Sequence, residues 1–316
     1  MTLLYTHPLF LEHRTGTHPE RPERLIQIQR HLERTGLDVR CRRPTWKPAT
    51  AAQLAAVHGP DYAASVEDFC AAGGGRIEDD TVCSPRSFDA ARLAAGAACD
   101  AVKRVVGGED TQALCLVRPP GPHALRDEPM GFCLFNNVAI AARAAIVEHA
   151  LDRVLIVDWD VHHGNGTQAM TWSDPQIGFL SIHRWPFYPG TGRAEETGTG
   201  AALGTKLNLP VELGISREMY LDTFRRGLEK LAASLQPQLV IVSAGFDAHA
   251  DDPVGSLGLQ TEDFAPLTEA VLDVASTYAG GKLVSVLEGG YNTGILAGCV
   301  ALHLEHLLAR DKSPRA

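Results

Sequence analysis

Residues Val154 to Thr167 read Val-Leu-Ile-Val-Asp-Trp-Asp-Val-His-His-Gly-Asn-Gly-Thr, and they restrict the fold more than any other stretch. The apolar, β-branched opening reads as a buried strand. It ends on Asp158, Asp160, His162 and His163, followed by two glycines. An ionised carboxylate is costly to bury unless something positive compensates it. In extended backbone Asp160 and His162 point to the same side, because side chains alternate with period two. A carboxylate oxygen and an imidazole nitrogen then converge, as a divalent metal requires. Alone, the segment also fits a solvated loop after a strand, with Asp158 as a helix cap.

Other apolar runs repeat the pattern. Residues 113–117, 177–182, 239–242 and 283–287 read as strands, as does 154–157. Residues 90–105, 138–148, 217–234 and 261–278 read as helices, the last two opening at Ser216 and Thr261 as N-caps. Thr261 is followed three residues later by Phe264 rather than by a capping-box Glu. Alternating β and α elements predict an α/β fold: one domain over residues 1–316, with a mostly parallel central sheet and helices on both faces. A polar tail is expected from about Arg310 to the end.

Composition closes off several alternatives. A net charge of −9 argues against nucleic acid, since phosphate binding needs a basic face. The seven cysteines (41, 70, 83, 99, 115, 133 and 299) are scattered and odd in number, which suits reduced thiols in a cytoplasmic protein. No signal peptide or membrane span is visible. Oligomeric state is not legible, and a homo-oligomer is allowed.

Each strand is followed by an unusual loop: 118–124 (Arg-Pro-Pro-Gly-Pro-His-Ala), 183–190, 243–252 and 288–292 (Glu-Gly-Gly-Tyr-Asn). Open parallel sheets place their sites at those ends. A catalytic zinc takes three protein ligands and leaves one position for water. Asp160 and His162 supply two, and Asp247 is the best third; Fe²⁺ or Co²⁺ would accept the same donors. Asp251 and Asp252 are alternative ligands, but they sit further from the strand end, where shaping the turn is the better reading. His123, in a loop stiffened by Pro119, Pro120 and Pro122, suits a general base. Tyr291, after two glycines, offers a phenol to a carbonyl oxygen. Phe132 and Tyr188 could wall a channel for an aliphatic stem, although single rings are usually core. Together these groups describe metal-assisted amide hydrolysis.

These motifs, with His18-Pro-Glu-Arg-Pro-Glu-Arg24 and Gly131-Phe-Cys-Leu-Phe-Asn-Asn137, make the chain resemble the histone deacetylase family, specifically class II-like bacterial members with the arginase/deacetylase fold. The resemblance implies zinc on Asp160, His162 and Asp247, His123 as general base and acid, and Tyr291 on the substrate carbonyl. It implies a tunnel bounded by Gly131, Phe132 and Tyr188, closed at its foot by Gly289, with Asp80 as a rim carboxylate. Arg24 would face a cavity behind the metal. A structural K⁺ or Na⁺ would sit on Asp158 and Ser181 with carbonyls of Asp160, His162 and Ile182, and Asn165 would orient the His123 imidazole.

One position departs from the family pattern. The loop normally carries two adjacent histidines after the glycine, whereas this chain reads Gly121-Pro122-His123. Pro122 brings no donor, so Asp158 loses a partner. A deacetylase of reduced rate is therefore expected. Polyamine-selective relatives place a glutamate after the Asp-Pro pair; here Asp252-Pro253 is followed by the uncharged Val254, which favours acyl-lysine. The alternatives are a small-molecule or acetylpolyamine amidohydrolase, and a zinc-retaining acyl-lysine binding protein with vestigial catalysis.

Overall fold

The computed structural model describes residues 2–310. Its strands are β1 (Leu3–Tyr5), β2 (Gly75–Glu78), β3 (Thr81–Cys83), β4 (Gln112–Cys115), β5 (Val154–Asp158), β6 (Ile177–Arg184), β7 (Lys206–Val211), β8 (Leu239–Ala244) and β9 (Leu283–Leu287). Its helices are α1 (Glu23–Thr35), α2 (Ala51–Ala55), α3 (Pro60–Ala71), α4 (Ser87–Val106), α5 (Asn137–Val147), α6 (Asn165–Thr171), α7 (Arg217–Leu235), α8 (Phe264–Tyr278) and α9 (Thr293–Arg310).

Seven strands form one sheet in the order β1-β4-β9-β8-β5-β6-β7, and every pairing in it is parallel. β5 and β8 are buried at every position, as expected for strands covered on both faces. Helices α1, α9, α8 and α7 pack side by side as one layer, and α4, α5 and α6 as the other, with the sheet between. This is the α/β architecture the sequence predicts. From β5 the chain runs outward through β6 and β7, then returns to β8 beside β5 and leaves through β9. The reversal between β5 and β8 opens the crevice where such sheets bind ligands.

Element ends shift by small amounts. β6 runs on to Arg184, and β4 stops at Cys115 rather than at residue 117. Ser216 caps α7, its side chain accepting the Met219 N–H. Thr261 is not a cap. Gln260 and Asp263 form a reciprocal capping box there, with Thr261–Asp263 as a short 3₁₀ turn before α8. Arg310 closes α9, and the polar tail expected beyond it lies outside the described residues. No disulfide is formed among the described residues, and no described helix is long and apolar enough to cross a membrane.

One buried ion cluster ties the N-terminal segment to the loop after β4. Glu20 receives Arg118 through Nε (2.5 Å) and a second guanidinium nitrogen (2.7 Å), and Arg24 at 3.1 Å. Burial pushes the Glu20 pKa up, but Arg118 and His13 outweigh it and hold the carboxyl well below its ordinary range. Arg118 and Arg24 thus share one buried carboxylate, and their remaining donors go to backbone carbonyls.

Candidate active site

The β5 and β8 ends bring Asp160, His162 and Asp247 together. Asp160 Oδ1 accepts the His162 N–H at 3.0 Å and lies 3.0 Å from His162 Nδ1. Asp160 Oδ2 accepts the Gly289 N–H at 2.9 Å. Asp247 Oδ1 accepts the Val161 N–H at 2.9 Å, whereas its Oδ2 is buried, takes no hydrogen bond and lies 3.2 Å from His162 Nδ1. A Cβ at Gly289 would stand 2.2 Å from Asp247 Oδ2 and 2.4 Å from Asp160 Oδ2, so only glycine leaves those oxygens room. His123, Asp160 and His162 likewise bring ligating atoms within 4.8 Å of one another.

The electrostatics call for a cation. Burial, then repulsion from Asp160, raises the Asp247 pKa to about 7. Burial, then Asp160 and Glu288, pushes Asp158 well above the carboxylate range. Burial would raise the Asp160 pKa too, but His162 beside it holds it down to about 2. Asp158 and Asp247 remain short of positive charge, which a divalent ion would supply. The donor set of two carboxylates and one imidazole fits such an ion.

His123 stands beside this cluster with Nδ1 2.8 Å from Asn165 Oδ1. An amide oxygen only accepts, so the proton sits on Nδ1 and Nε2 keeps its lone pair. Burial, then the neighbouring His162, lowers the His123 pKa below its ordinary value. The imidazole packs against Gly131, where a Cβ would fall 2.5 Å from the ring. The start of α6 presses on the same loop: a Cβ at Gly166 would stand 2.2 Å from the Ala124 carbonyl oxygen.

A cavity of about 230 Å³ opens above these groups, lined by Asp80, His123, Gly131, Phe132, His162, Phe187, Tyr188, Val254 and Tyr291. Sequence reasoning named all of these except Phe187. The Phe187 ring stacks on His162 at 5.2 Å and 15°, with the Arg184 guanidinium 4.1 Å from its centroid. Phe132 meets Tyr291 edge-on at 5.7 Å. Asp80 braces the wall: its Oδ1 accepts the Gly131 N–H (3.0 Å) and the Thr81 hydroxyl (2.9 Å). Burial, then the charges of Asp247 and Asp160, raises the Tyr291 pKa well above 10, so the phenol keeps its proton.

The remaining expected residues lie around this core. Arg24 is fully buried and spends its donors on Glu20 and on the carbonyls of Gly290 and Glu288. Asp158 Oδ1 accepts the Asp160 N–H at 3.0 Å, while Oδ2 is buried without a hydrogen-bond partner. Ser181 and Ile182 are buried in β6, with the Ser181 hydroxyl 3.0 Å from His183 Nδ1. Glu288, which sequence reasoning did not single out, accepts the Gly121 N–H (2.9 Å) and the Ser243 hydroxyl (3.1 Å).

The chain also matches known proteins over most of its length. A family profile described as "Histone deacetylase domain" matches residues 18–307. A histone deacetylase-like amidohydrolase of Pseudomonas aeruginosa is 38% identical over 92% of this chain and 77% of its own length. A human polyamine deacetylase, HDAC10, is 40% identical over 93% of this chain and 45% of its own length. A probable deacetylase of Archaeoglobus fulgidus is 35% identical, covering 96% of this chain and 88% of its own. The solved HD domain of HDA15 superposes with a TM-score of 0.93 at 34% identity, covering 100% of this chain and 90% of that one.

Proposed function

This chain belongs to the histone deacetylase family of amide hydrolases, and we propose that it removes acetyl or short acyl groups from lysine side chains with a zinc ion on Asp160, His162 and Asp247. The observation that carries the reading is the convergence of these buried donors beneath an apolar cavity that His123 and Tyr291 also enter. Zinc bound there supplies a Lewis acid and makes a nucleophile available near neutral pH. His123 Nε2 takes the proton of the attacking water and returns it to the departing amine. The Tyr291 phenol donates a hydrogen bond to the carbonyl oxygen as charge collects on it. The amide C–N bond breaks, a C–O bond forms, and a carboxylate and a free lysine amine leave. The unpartnered Asp158 Oδ2 supports a monovalent cation, K⁺ or Na⁺, shared with Ser181 and the carbonyls of Asp160, His162 and Ile182.

The lining of Phe132, Phe187, Tyr188 and Val254 suits the uncharged stem of an acyl-lysine. A polyamine would bring a distal ammonium past Val254, which offers it no carboxylate. The polyamine deacetylase among the relatives keeps acetylpolyamines as the competing substrates. The test is turnover of an acetyl-lysine peptide, a trifluoroacetyl-lysine peptide and N-acetylspermidine by the zinc-loaded protein and its His123→Ala variant. Both peptides should turn over faster than N-acetylspermidine, and His123→Ala should lose about 10²–10⁴-fold. A preference for N-acetylspermidine would overturn the substrate assignment. Full zinc with no turnover of any amide would favour a binding protein.

A further inference from the structure

We infer that Asp252 is the positioning residue that sets Tyr291 over the cavity, an inference that rests on the hydrolase reading above. Asp252 is 7% exposed, and both of its oxygens are taken up by backbone N–H groups from two separate segments. Oδ1 accepts from Val254 (2.9 Å) and Gly255 (3.0 Å). Oδ2 accepts from Tyr291 (2.6 Å) and Asn292 (3.3 Å). The first pair shapes the turn after Asp247. That turn is packed closely enough that a Cβ at Gly255 would fall 2.3 Å from the Asp247 carbonyl oxygen. The second pair grips the backbone of the phenol itself. One carboxylate therefore joins the loop of Asp247 and the cavity residue Val254 to the loop of Tyr291.

The Tyr291 segment needs such an anchor. Gly289 and Gly290 precede it, and Gly290 has φ 116°, a backbone state in which local sterics decide little. The Tyr291 ring is held by contacts without directional bonds, edge-on to Phe132 and with the Arg24 guanidinium 5.1 Å from its centroid. Direction comes instead from the backbone. Arg24 Nε donates to the Gly290 carbonyl at 2.6 Å and a second Arg24 nitrogen to the Glu288 carbonyl, while Asp252 takes the N–H groups that follow. A cation holds the carbonyls and an anion holds the donors. Bonds to an ionised group are the stronger kind, and removing the acceptor strands buried N–H groups.

Asp252→Asn keeps the size of the side chain but turns an NH₂ toward donors that need an acceptor. A reacting group displaced by about an ångström can cost on the order of 10²-fold, so kcat on acetyl-lysine should fall by roughly 10- to 100-fold. KM should stay within about twofold. The discriminating readout is the ratio of kcat/KM on trifluoroacetyl-lysine to that on acetyl-lysine. Fluorine substitution makes the carbonyl more electrophilic and less dependent on a phenol donor. The ratio should therefore rise in Asp252→Asn as it does in Tyr291→Phe. It is also independent of the fraction of active protein. Asp252→Ser carries the same readout should the Asn variant be insoluble. The Asp252→Asn/Tyr291→Phe double variant should be within about twofold of Tyr291→Phe alone. Equal losses on both substrates, or losses that multiply in the double variant, would overturn the inference while leaving the hydrolase reading intact. A zinc-loaded wild type inert on both peptides would overturn both.

Discussion

The loops at 118–124 and 288–292 both border the cavity, one contributing His123 and the other Tyr291, and they are made rigid by different physics. The first contains Pro119, Pro120 and Pro122, which restrict φ before the chain folds and so lower the entropy cost of order. The second carries consecutive glycines after Glu288 and acquires its order from partners, among them Arg24, Asp160 and Asp252. The two meet where the Gly121 N–H donates to Glu288 at 2.9 Å. A proline-stiffened loop tolerates loss of contacts but supplies few donors. A glycine loop held by buried charges depends on each of them. Asp158 Oδ2 takes no hydrogen bond, and we propose that Pro122, which has no side-chain donor, is the cost of the first strategy there.

After His123→Ala, the largest effect should come from the glycine loop. Tyr291→Phe removes a hydroxyl that faces the cavity and leaves the backbone anchors in place. We expect kcat to fall by about 10²–10³-fold, as for loss of one oxyanion donor, with unchanged thermal stability. A loss of only a few-fold would mean that the phenol is not the donor.

Pro122→His probes the other loop and should act in the opposite direction. A histidine there offers Asp158 a donor, and outer-shell partners of this kind change affinity or activity by roughly 10- to 100-fold. Steady-state turnover of acetyl-lysine peptide should rise accordingly. An unchanged rate would mean that a cation, water or backbone group already compensates Asp158.

The smallest effect concerns how the proline loop is tethered at its exit. His58 accepts the Asn136 N–H at Nε2 (2.9 Å), and its Nδ1 lies 2.9 Å from the Leu125 carbonyl. Burial lowers its pKa from 6.5 to about 4, against the upward pull of the Leu125 and Arg126 carbonyls. The unfolded chain therefore binds a proton at higher pH than the folded one. Stability from His58 is full above pH 6.5 and is lost as pH falls from 6.5 toward about 4. Between pH 7.5 and 5.5 the loss should be about 1 kcal/mol. Urea midpoints at the two pH values, with His58→Gln as control, measure it. An equal pH dependence in the control would remove His58 as the cause.

Much of this site could be read from the sequence because parallel strands deliver their C-terminal residues to one rim. Asp160, His162, Asp247 and Tyr291 each follow a recognisable strand within a few residues, and His123 follows β4 through the proline-rich loop. What escaped reading depends on contacts between distant segments. Asp252 reads as a turn residue because its bonds to Val254 and Gly255 are local, whereas those to Tyr291 and Asn292 join separate loops. Glu288 meets Gly121 across the sheet edge, with no spacing to suggest it. Phe187 and Tyr188 both face the cavity, which simple strand alternation would forbid, because the segment after β6 is no longer extended. β7 was invisible for another reason. Lys206, Asn208 and Pro210 break its apolar pattern, yet it is an edge strand, where proline is tolerated, and the buried Lys206 Nζ donates to the Ile177 carbonyl at 2.6 Å.

The central claim, that Asp160, His162 and Asp247 hold one hydrolytic zinc ion, is tested most directly by titrating zinc into chelator-stripped protein while following acetyl-lysine turnover. The account predicts that activity returns in proportion to zinc and saturates at about one equivalent, and that Asp247→Ala neither retains zinc nor regains activity. Turnover that persists in the stripped protein, or that returns fully in Asp247→Ala, would contradict it.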